Sequence, residues 1–319
     1  MDRNTIPGSS ASDRPEKRII AVTGPTASGK SALALKLALE FGGEIIACDS
    51  MQVYRGMDVG TAKDPPEELA LVPHHMIDVA DPGDRFSCSD YAVMAAECAD
   101  GIIARGKLPV FCGGTGLYLD SVISSDRYPE KETPADLRGA IGQMSDDELR
   151  TALRGCDSAT YGTADIRNRR RLTRALEIFY STGIPKSRWD ALPKTLPPRY
   201  RALKLAVVWE DRDELYRRID RRVDMMFADG LADEAVMLHS SPLSGTARQA
   251  IGYKELFDRI EAGEPPENAA EDVKRATRRY AKRQLTWLRR DGEAVMLEGS
   301  DPALFEKACA EVRRFLRGD

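Results

Sequence analysis

Between a β-branched run, Arg18 to Thr23 (RIIAVT), and a run of strong helix formers at helical spacing, Ser31 to Phe41 (SALALKLALEF), the chain reads GPTASGKS, Gly24 to Ser31. This fits GxxxxGK[ST] without a gap, and its setting of strand, glycine loop and helix is the one the pattern needs. Gly24 and Gly29 let backbone N–H groups turn inward on a di- or triphosphate, with Thr26, Ala27 and Ser28 completing the cradle. The helix start adds positive potential, Lys30 reaches the terminal phosphates and Ser31 is placed to hold Mg²⁺. Chance is the bland alternative, and the strand before and helix after the match argue against it.

Such a loop belongs at the carboxyl end of a strand in a parallel sheet, and the following segments keep that rhythm. Glu44 to Cys48 (EIIAC) is a second apolar run, Tyr91 to Arg105 an amphipathic helix, and Leu108 to Cys112 a strand running into Gly113-Gly-Thr-Gly116. Alternating strand and helix predicts an α/β fold, a P-loop parallel-sheet core flanked by helices. After Ile123 the alternation gives way to charged helical stretches punctuated by proline, and Ala202 to Trp209 returns to strand composition. The expected organisation is a disordered tail over 1–18, a core from 19–123 and 199–319, and a helical insertion domain over 124–198. In the last part, Asp211 to Asp229 and Glu271 to Leu288 read as long helices, Glu293 to Glu298 as a short strand, and a final helix follows.

With 319 residues, 42% of them hydrophobic, the chain can bury a sizeable core, and no apolar run is long enough to span a bilayer. A cytoplasmic, soluble protein is expected, with no membrane partner, no obligate protein partner and a monomeric state as the default. The six cysteines show no CxxC pair and no companion histidine at metal-ligand spacing, so reduced thiols are expected. The net charge of −4 announces no nucleic-acid binder, yet basic residues crowd into Arg167 to Arg174 (RNRRRLTR) and Lys274 to Arg290 (KRATRRYAKRQLTWLRR).

Strand ends at Thr23, Cys48 and Cys112 would gather the glycine loop, Asp49 and Thr115 around one crevice. Asp49 alone reads as a helix cap or loop hydrogen bond, and the crevice makes a catalytic or metal-holding carboxylate the better reading. Thr115 reads equally as a capping threonine or as a hydroxyl donating to a ligand oxygen. The strand Leu108 to Cys112 lacks the terminal acid that holds Mg²⁺ in many nucleotide hydrolases, which weakens an ATPase reading. An arginine run such as Arg169 to Arg171 is ordinarily a solvated face, but two such clusters favour RNA. In the second, Tyr280, Gln284 and Trp287 interleave with Lys282, Arg283, Arg289 and Arg290, as stacking platforms among backbone-neutralising charges would. Alternatively Tyr280 and Trp287, seven apart, share a core face. His74 and His75 are read as structural.

GPTASGKS (Gly24 to Ser31), DSMQVYRGMDVGTAK (Asp49 to Lys63), PHHMIDV (Pro73 to Val79), GGTGLY (Gly113 to Tyr118), RLTRALE (Arg171 to Glu177), QAIGYKE (Gln249 to Glu255) and TRRYAKRQLTW (Thr277 to Trp287) together resemble, in order, the motif set of the tRNA dimethylallyltransferases, also called tRNA isopentenyltransferases. The likeness runs from about Ile19 to Trp287. It implies transfer of the dimethylallyl group from dimethylallyl diphosphate to N6 of the adenosine beside the tRNA anticodon (adenosine-37), with Mg²⁺ as cofactor. It puts the proton acceptor on Asp49, and leaving-group stabilisation on Lys30, Thr115 and Mg²⁺ near Ser31. Arg218 and Arg222, four apart on one helix face, would reach the diphosphate; as a plain alternative they are surface charges. The anticodon stem-loop would meet Ser50, Met51 and Gln52, then Gln249, Gly252 and Tyr253, then Arg283, Gln284, Trp287 and Arg289. The insertion would add Arg170, Arg171 and Arg174, and the target base would leave its stack to enter the protein.

The sequence departs from the family where an Asn-Asp pair commonly precedes RLTRALE; here it reads Asp165-Ile-Arg-Asn-Arg-Arg. A single cysteine, Cys309, in the C-terminal region leaves no zinc finger of the eukaryotic kind, so the chain resembles the bacterial form. Three other readings stay open. A P-loop small-molecule kinase would turn over ATP, an adenylate isopentenyltransferase would prenylate free AMP, and a noncatalytic RNA-binding switch would bind RNA in response to nucleotide. The basic C-terminal segment fits neither of the first two.

Overall fold

The computed structural model describes residues 16–123, 133–163, 166–191 and 197–318. The chain forms two compact units, one of Met1–Ile123 with Tyr200–Asp319 and one of Ser124–Arg199. In chain order the first unit begins with β1 (Arg18–Thr23), α1 (Lys30–Glu40), β2 (Gly43–Ala47), α2 (Pro66–Leu69), β3 (His74–His75), α3 (Cys88–Ala104), β4 (Leu108–Gly113) and α4 (Gly116–Ile123). The second unit contributes α5 (Ala135–Gln143), α6 (Asp146–Cys156), α7 (Ser158–Thr163), α8 (Arg169–Thr182) and α9 (Lys186–Ala191). The first unit resumes with β5 (Arg201–Val208), α10 (Arg212–Ala228), α11 (Leu231–His239), α12 (Tyr253–Glu261), α13 (Ala270–Leu288), β6 (Val295–Glu298) and α14 (Leu304–Arg317).

The six strands are all parallel, in the order β3-β2-β4-β1-β5-β6. In the centre, Ile20 of β1 stands opposite Val110 of β4 on one side and Leu203 of β5 on the other. The two-residue period of β1 sorts its side chains by face. Ile19 and Ala21 join a core with Tyr91, Ala95 and Ala99 of α3, while Ile20 and Val22 pack with Leu33 and Leu37 of α1 and Val312 of α14. Burial on both faces explains why the strands read as unbroken apolar runs. Because all strands point the same way, the loops after Thr23, Ala47 and Gly113 open at one edge of the sheet.

The second unit has its own small core, Ile141, Leu149, Leu153, Leu172, Ala175 and Leu176. Its helices are capped by local chemistry: Ser145 and Glu148 form a capping box on α6, and the Asn168 side chain accepts from the Arg171 N–H at the start of α8.

One boundary shifts from the sequence reading: the expected tail runs to residue 18, whereas Arg18, where the strand reading begins, is already in β1, paired with Arg201; residues 1–15 of that tail lie outside the described residues. The edge strand β3 and helices α11 and α12 were not foreseen. β3 is two histidines long, too short and polar to carry an apolar signal.

Candidate active site

The glycine loop joins β1 to α1. Gly29 sits at φ 97°, a left-handed conformation that a Cβ would strain, and no side chain caps the start of α1. The first-turn N–H groups are therefore available to an anion, which the helix dipole favours. Two helices brace the loop from outside. Arg218 of α10 donates from Nε to the Ala27 carbonyl (2.9 Å) and lies over the Trp209 ring at 4.5 Å, while the Trp209 indole donates to the Ser28 carbonyl (3.0 Å). Gln284 of α13 accepts the Thr26 N–H (2.9 Å) and donates to the Gly114 carbonyl (3.1 Å), bridging the glycine loop to the one after β4.

A cavity of about 300 Å³ opens at this sheet edge. Thr26, Lys30, Ser31 and Arg222 line it on one side, and Asp49, Ser50, Met51 and Gln52 follow from the end of β2. Gln249 to Gly252, with Tyr280, Arg283 and Gln284 of α13, close it. A wider cavity of about 820 Å³ also meets Lys30, Ser31, Asp64, Arg222 and Met226, so these residues stand where the two adjoin. Ala27, Gly29 and Arg218 line only the wider one.

Electrostatics concentrate at the junction. Burial pushes the Lys30 ammonium below its ordinary range and the Arg222 charge pushes the same way, against the opposing pull of Asp49 and Asp64. Burial also lowers Arg222 and raises Asp64, the latter countered by His74, Arg222 and Lys30. Two desolvated cations side by side make a site that an incoming polyanion relieves. Asp49 Oδ1 accepts the Met51 N–H (2.9 Å), an Asx turn that fixes the carboxylate at the wall. The Thr115 hydroxyl oxygen accepts the Ser50 N–H (3.2 Å) and the Thr115 N–H donates to the Cys48 carbonyl (3.2 Å), so the residue beside Asp49 is held from the neighbouring strand loop. Burial pushes the Tyr280 phenol up to about 12, keeping it a neutral hydroxyl.

Several expected site residues fall elsewhere. Ser28 is 2% exposed and lines neither cavity; its hydroxyl is buried without a hydrogen-bond partner. Gly24 also stays out of both linings. Tyr253, expected to meet RNA, is fully buried, its hydroxyl donating to Glu234 (2.5 Å). Gln284 lines the cavity, but both ends of its amide are spent on backbone. The Gln52 amide nitrogen likewise donates to the Thr61 and Ala62 carbonyls (both 3.2 Å), inside its own loop. Trp287 packs on Gly116 and donates to Asp120 (3.1 Å), which favours its alternative reading as a packing residue.

The basic stretch of α13 divides in two. Lys274 pairs with Asp224 (2.6 Å), Arg275 with Asp272, and Arg278 with Asp220 (2.5 Å). Beyond them Arg279, Lys282, Arg283, Arg289 and Arg290 are exposed and carry no ion pair among the described residues, with Arg283 over the Tyr280 ring at 5.3 Å. In the second unit Arg170, Arg171 and Arg174 are exposed, and Arg174 pairs with Glu177 (3.3 Å).

Sequence reasoning missed Asp64 and Met226, passed over His74 as structural, and missed Glu234. A fold-back loop brings Asp64 to the cavity, and no periodicity marks it. Among the described residues, no three His, Cys, Asp or Glu side chains group as a metal site. The oxygen set on offer, the Ser31 hydroxyl with the Asp49 and Asp64 carboxylates in one lining, suits Mg²⁺, which takes few protein oxygens and completes its shell with water and phosphate. All six cysteines are free, and no helix among the described residues is long and apolar enough to cross a membrane.

The sequence model for "IPP transferase" matches residues 52–291, and that for "isopentenyl transferase" matches residues 17–78. The tRNA dimethylallyltransferase of Geobacillus thermodenitrificans is 38% identical, across 95% of this chain and 97% of that protein. A second relative, tRNA dimethylallyltransferase 1 of Pelobacter propionicus, is 42% identical across 88% and 92%. Among solved structures, the tRNA isopentenylpyrophosphate transferase of Bacillus halodurans superposes with a TM-score of 0.69 at 37% identity, covering 95% of this chain and 96% of that one. A eukaryotic dimethylallyltransferase acting on tRNA gives a TM-score of 0.83 at 27% identity, covering 95% and 80%. With the sheet edge, the glycine loop and the motif-bearing loops all in one crevice, the chain belongs to the tRNA dimethylallyltransferase family.

Proposed function

We propose that this chain transfers the dimethylallyl group from dimethylallyl diphosphate to N6 of adenosine-37, beside the anticodon of tRNA, giving N6-isopentenyladenosine and diphosphate. The observation that carries the reading is one cavity with a cationic, uncapped-helix end at Lys30 and Arg222 and a carboxylate, Asp49, on its wall. The nitrogen lone pair of N6 forms the new bond to C1 of the allyl group as the C1–O bond to diphosphate breaks. The N6 proton passes to the Asp49 carboxylate, which offsets the poor nucleophilicity of an exocyclic amine. Lys30, Arg222 and the α1 N–H groups hold the charge that gathers on the diphosphate. Mg²⁺, held by Ser31 with Asp64, would add charge neutralisation on the phosphate oxygens. Arg218 is tied to the Ala27 carbonyl and serves the loop's shape. The unpaired half of α13 at the cavity rim supplies phosphate-neutralising charge for the anticodon stem-loop, and Arg170, Arg171 and Arg174 offer a second basic surface.

The test is transfer of label from dimethylallyl diphosphate to unmodified tRNA carrying adenosines after its anticodon, beside free AMP as acceptor and with ATP hydrolysis recorded. Label in tRNA and not in AMP is the expected result. Label in AMP alone would replace tRNA with a free nucleotide, and ATP consumption without label would return the loop to kinase chemistry.

A further inference from the structure

One carboxylate outside the motif set gathers four hydrogen bonds. Glu234, half-buried on α11, accepts the backbone N–H groups of Asp58 and Val59 on Oε2 (both 2.9 Å), and that of Gly60 (3.0 Å) and the Tyr253 hydroxyl (2.5 Å) on Oε1. Three successive N–H groups turned on one point form an anion-binding nest, and here the anion is the protein's own side chain. The Tyr253 ring closes over it so tightly that a Cβ on Gly60 would lie 2.5 Å from the ring, which leaves no room for any side chain there. Charge-assisted bonds of this number hold a backbone far more firmly than turn propensity does.

What is held matters to the site. Gly60 and Thr61 line the smaller cavity, as do Gln249 to Gly252, the residues just before Tyr253. Asp58 and Val59 line the wider cavity, so the segment that Glu234 grips runs between the two. The same loop begins at Asp49 and is strapped internally by Gln52 on the Thr61 and Ala62 carbonyls. Glu234 and Tyr253 thus tie two stretches of cavity wall to each other. Neither makes a hydrogen bond to the glycine loop, to Arg218 or to Arg222.

The geometry points to Glu234 as a positioning residue for the acceptor: with Tyr253 it sets the spacing between the Asp58–Gly60 backbone and the Gln249–Gly252 turn, and so shapes the slot that receives the flipped adenosine. This rests on the prenyl-transfer reading above. A slot misplaced by about an ångström costs on the order of a hundredfold in rate without touching the reacting groups. The cost falls on tRNA use, because the donor's phosphate cradle is built from other elements.

The experiment compares wild type with Glu234→Gln, Tyr253→Phe and the double variant. It measures kcat and KM for tRNA at saturating donor, the dissociation constant of dimethylallyl diphosphate without tRNA, and the thermal midpoint. Glu234→Gln sets an amide N–H₂ against a backbone N–H donor and breaks the nest; Tyr253→Phe keeps the ring and removes one bond. Expected are a loss in kcat/KM for tRNA of about tenfold or more for Glu234→Gln and a smaller loss for Tyr253→Phe. Donor affinity should stay within about twofold, and the double variant should be no worse than Glu234→Gln, as one shared unit requires. Should Glu234→Gln fail to fold, Tyr253→Phe carries the same comparison alone. Donor affinity falling in step with kcat/KM, or kcat/KM within twofold of wild type in the variants, overturns the assignment. A wild type that transfers nothing to tRNA defeats the functional reading instead.

Discussion

The side chain of Gln284 holds the backbone of Thr26: the Thr26 N–H donates to Oε1 at 2.9 Å, and from its other end the same amide reaches the Gly114 carbonyl at 3.1 Å. A basic helix that looks built for RNA therefore also sets the shape of the glycine loop. Gln284→Leu fills the space and leaves a part-buried N–H and a buried carbonyl unpaired, the carbonyl costing about 1–3 kcal/mol. We expect a lowered thermal midpoint and a raised KM for dimethylallyl diphosphate, while tRNA affinity measured without donor is unchanged. A donor KM equal to wild type would show that the bridge does not shape the cradle.

Asp49→Asn tests the proton acceptor cleanly, because the asparagine Oδ1 can still accept the Met51 N–H that fixes the turn. The geometry survives and only the basic oxygen is lost. We expect turnover to fall by roughly 10²–10⁴-fold with tRNA binding unaltered. Turnover within a few-fold of wild type would remove Asp49 from the chemistry.

The parts of this protein legible in its sequence are those carried by local rules. β1 announced itself because a strand covered on both faces must be apolar throughout, and the Gly24-to-Ser31 loop because phosphate cradles need fixed glycine positions. Lys30, Ser31 and Asp49 were placed together because parallel strands end at one edge; the same reasoning put Thr115 beside them, yet Thr115 lines neither cavity and instead holds the Ser50 N–H, and Ser50 and Met51 came from the family resemblance. The illegible parts depend on long-range partners. Tyr253 looked like a contact residue because QAIGYKE is a motif, and only Glu234, nineteen positions earlier, explains why its ring turns inward. Asp64 follows a loop with no period, so its approach to Lys30 and Arg222 is a product of tertiary folding alone. The basic run of α13 looked uniform, yet acids on two helices, Asp220 and Asp224 of α10 and Asp272 of α13, neutralise its first half.

That division predicts where salt dependence resides. Arg283 and Arg289 are exposed with no ion pair among the described residues, whereas Lys274 and Arg278 are committed to Asp224 and Asp220. If the first two each meet a phosphate, the variant Arg283→Ala with Arg289→Ala flattens the plot of log affinity for tRNA against log salt by between about 1.4 and 1.8. Lys274→Ala with Arg278→Ala should leave the slope alone and lower the thermal midpoint instead. Filter-binding titrations at several salt concentrations decide it: equal slopes for wild type and the first variant would move the RNA contact off this helix.

A last consequence concerns acid stability, far from the cavity. Glu44 of β2 is buried, 3% exposed at its side chain, and meets two cations, Arg105 (2.7 Å) and Lys107 (3.0 Å), and the His75 ring nitrogen (2.8 Å). Burial opposes its ionisation, and hydrogen bonds from Arg105, His75 and Lys107 override that penalty and hold the carboxyl at about 2, below its ordinary 4.5. A depressed folded value means the native state binds fewer protons than the unfolded chain, so the stabilisation is fully present above pH 4.5 and drains away as pH falls towards 2. The depression corresponds to roughly 3 kcal/mol. Glu44→Gln removes the titrating group, so wild type should exceed the variant in stability by a constant margin near neutrality, and the margin should shrink as pH drops below 4.5. Urea denaturation at pH 7, 5, 4 and 3 would trace this. A margin independent of pH would mean that Glu44 contributes through packing and hydrogen-bond geometry, and that its charge carries no share of the fold's stability.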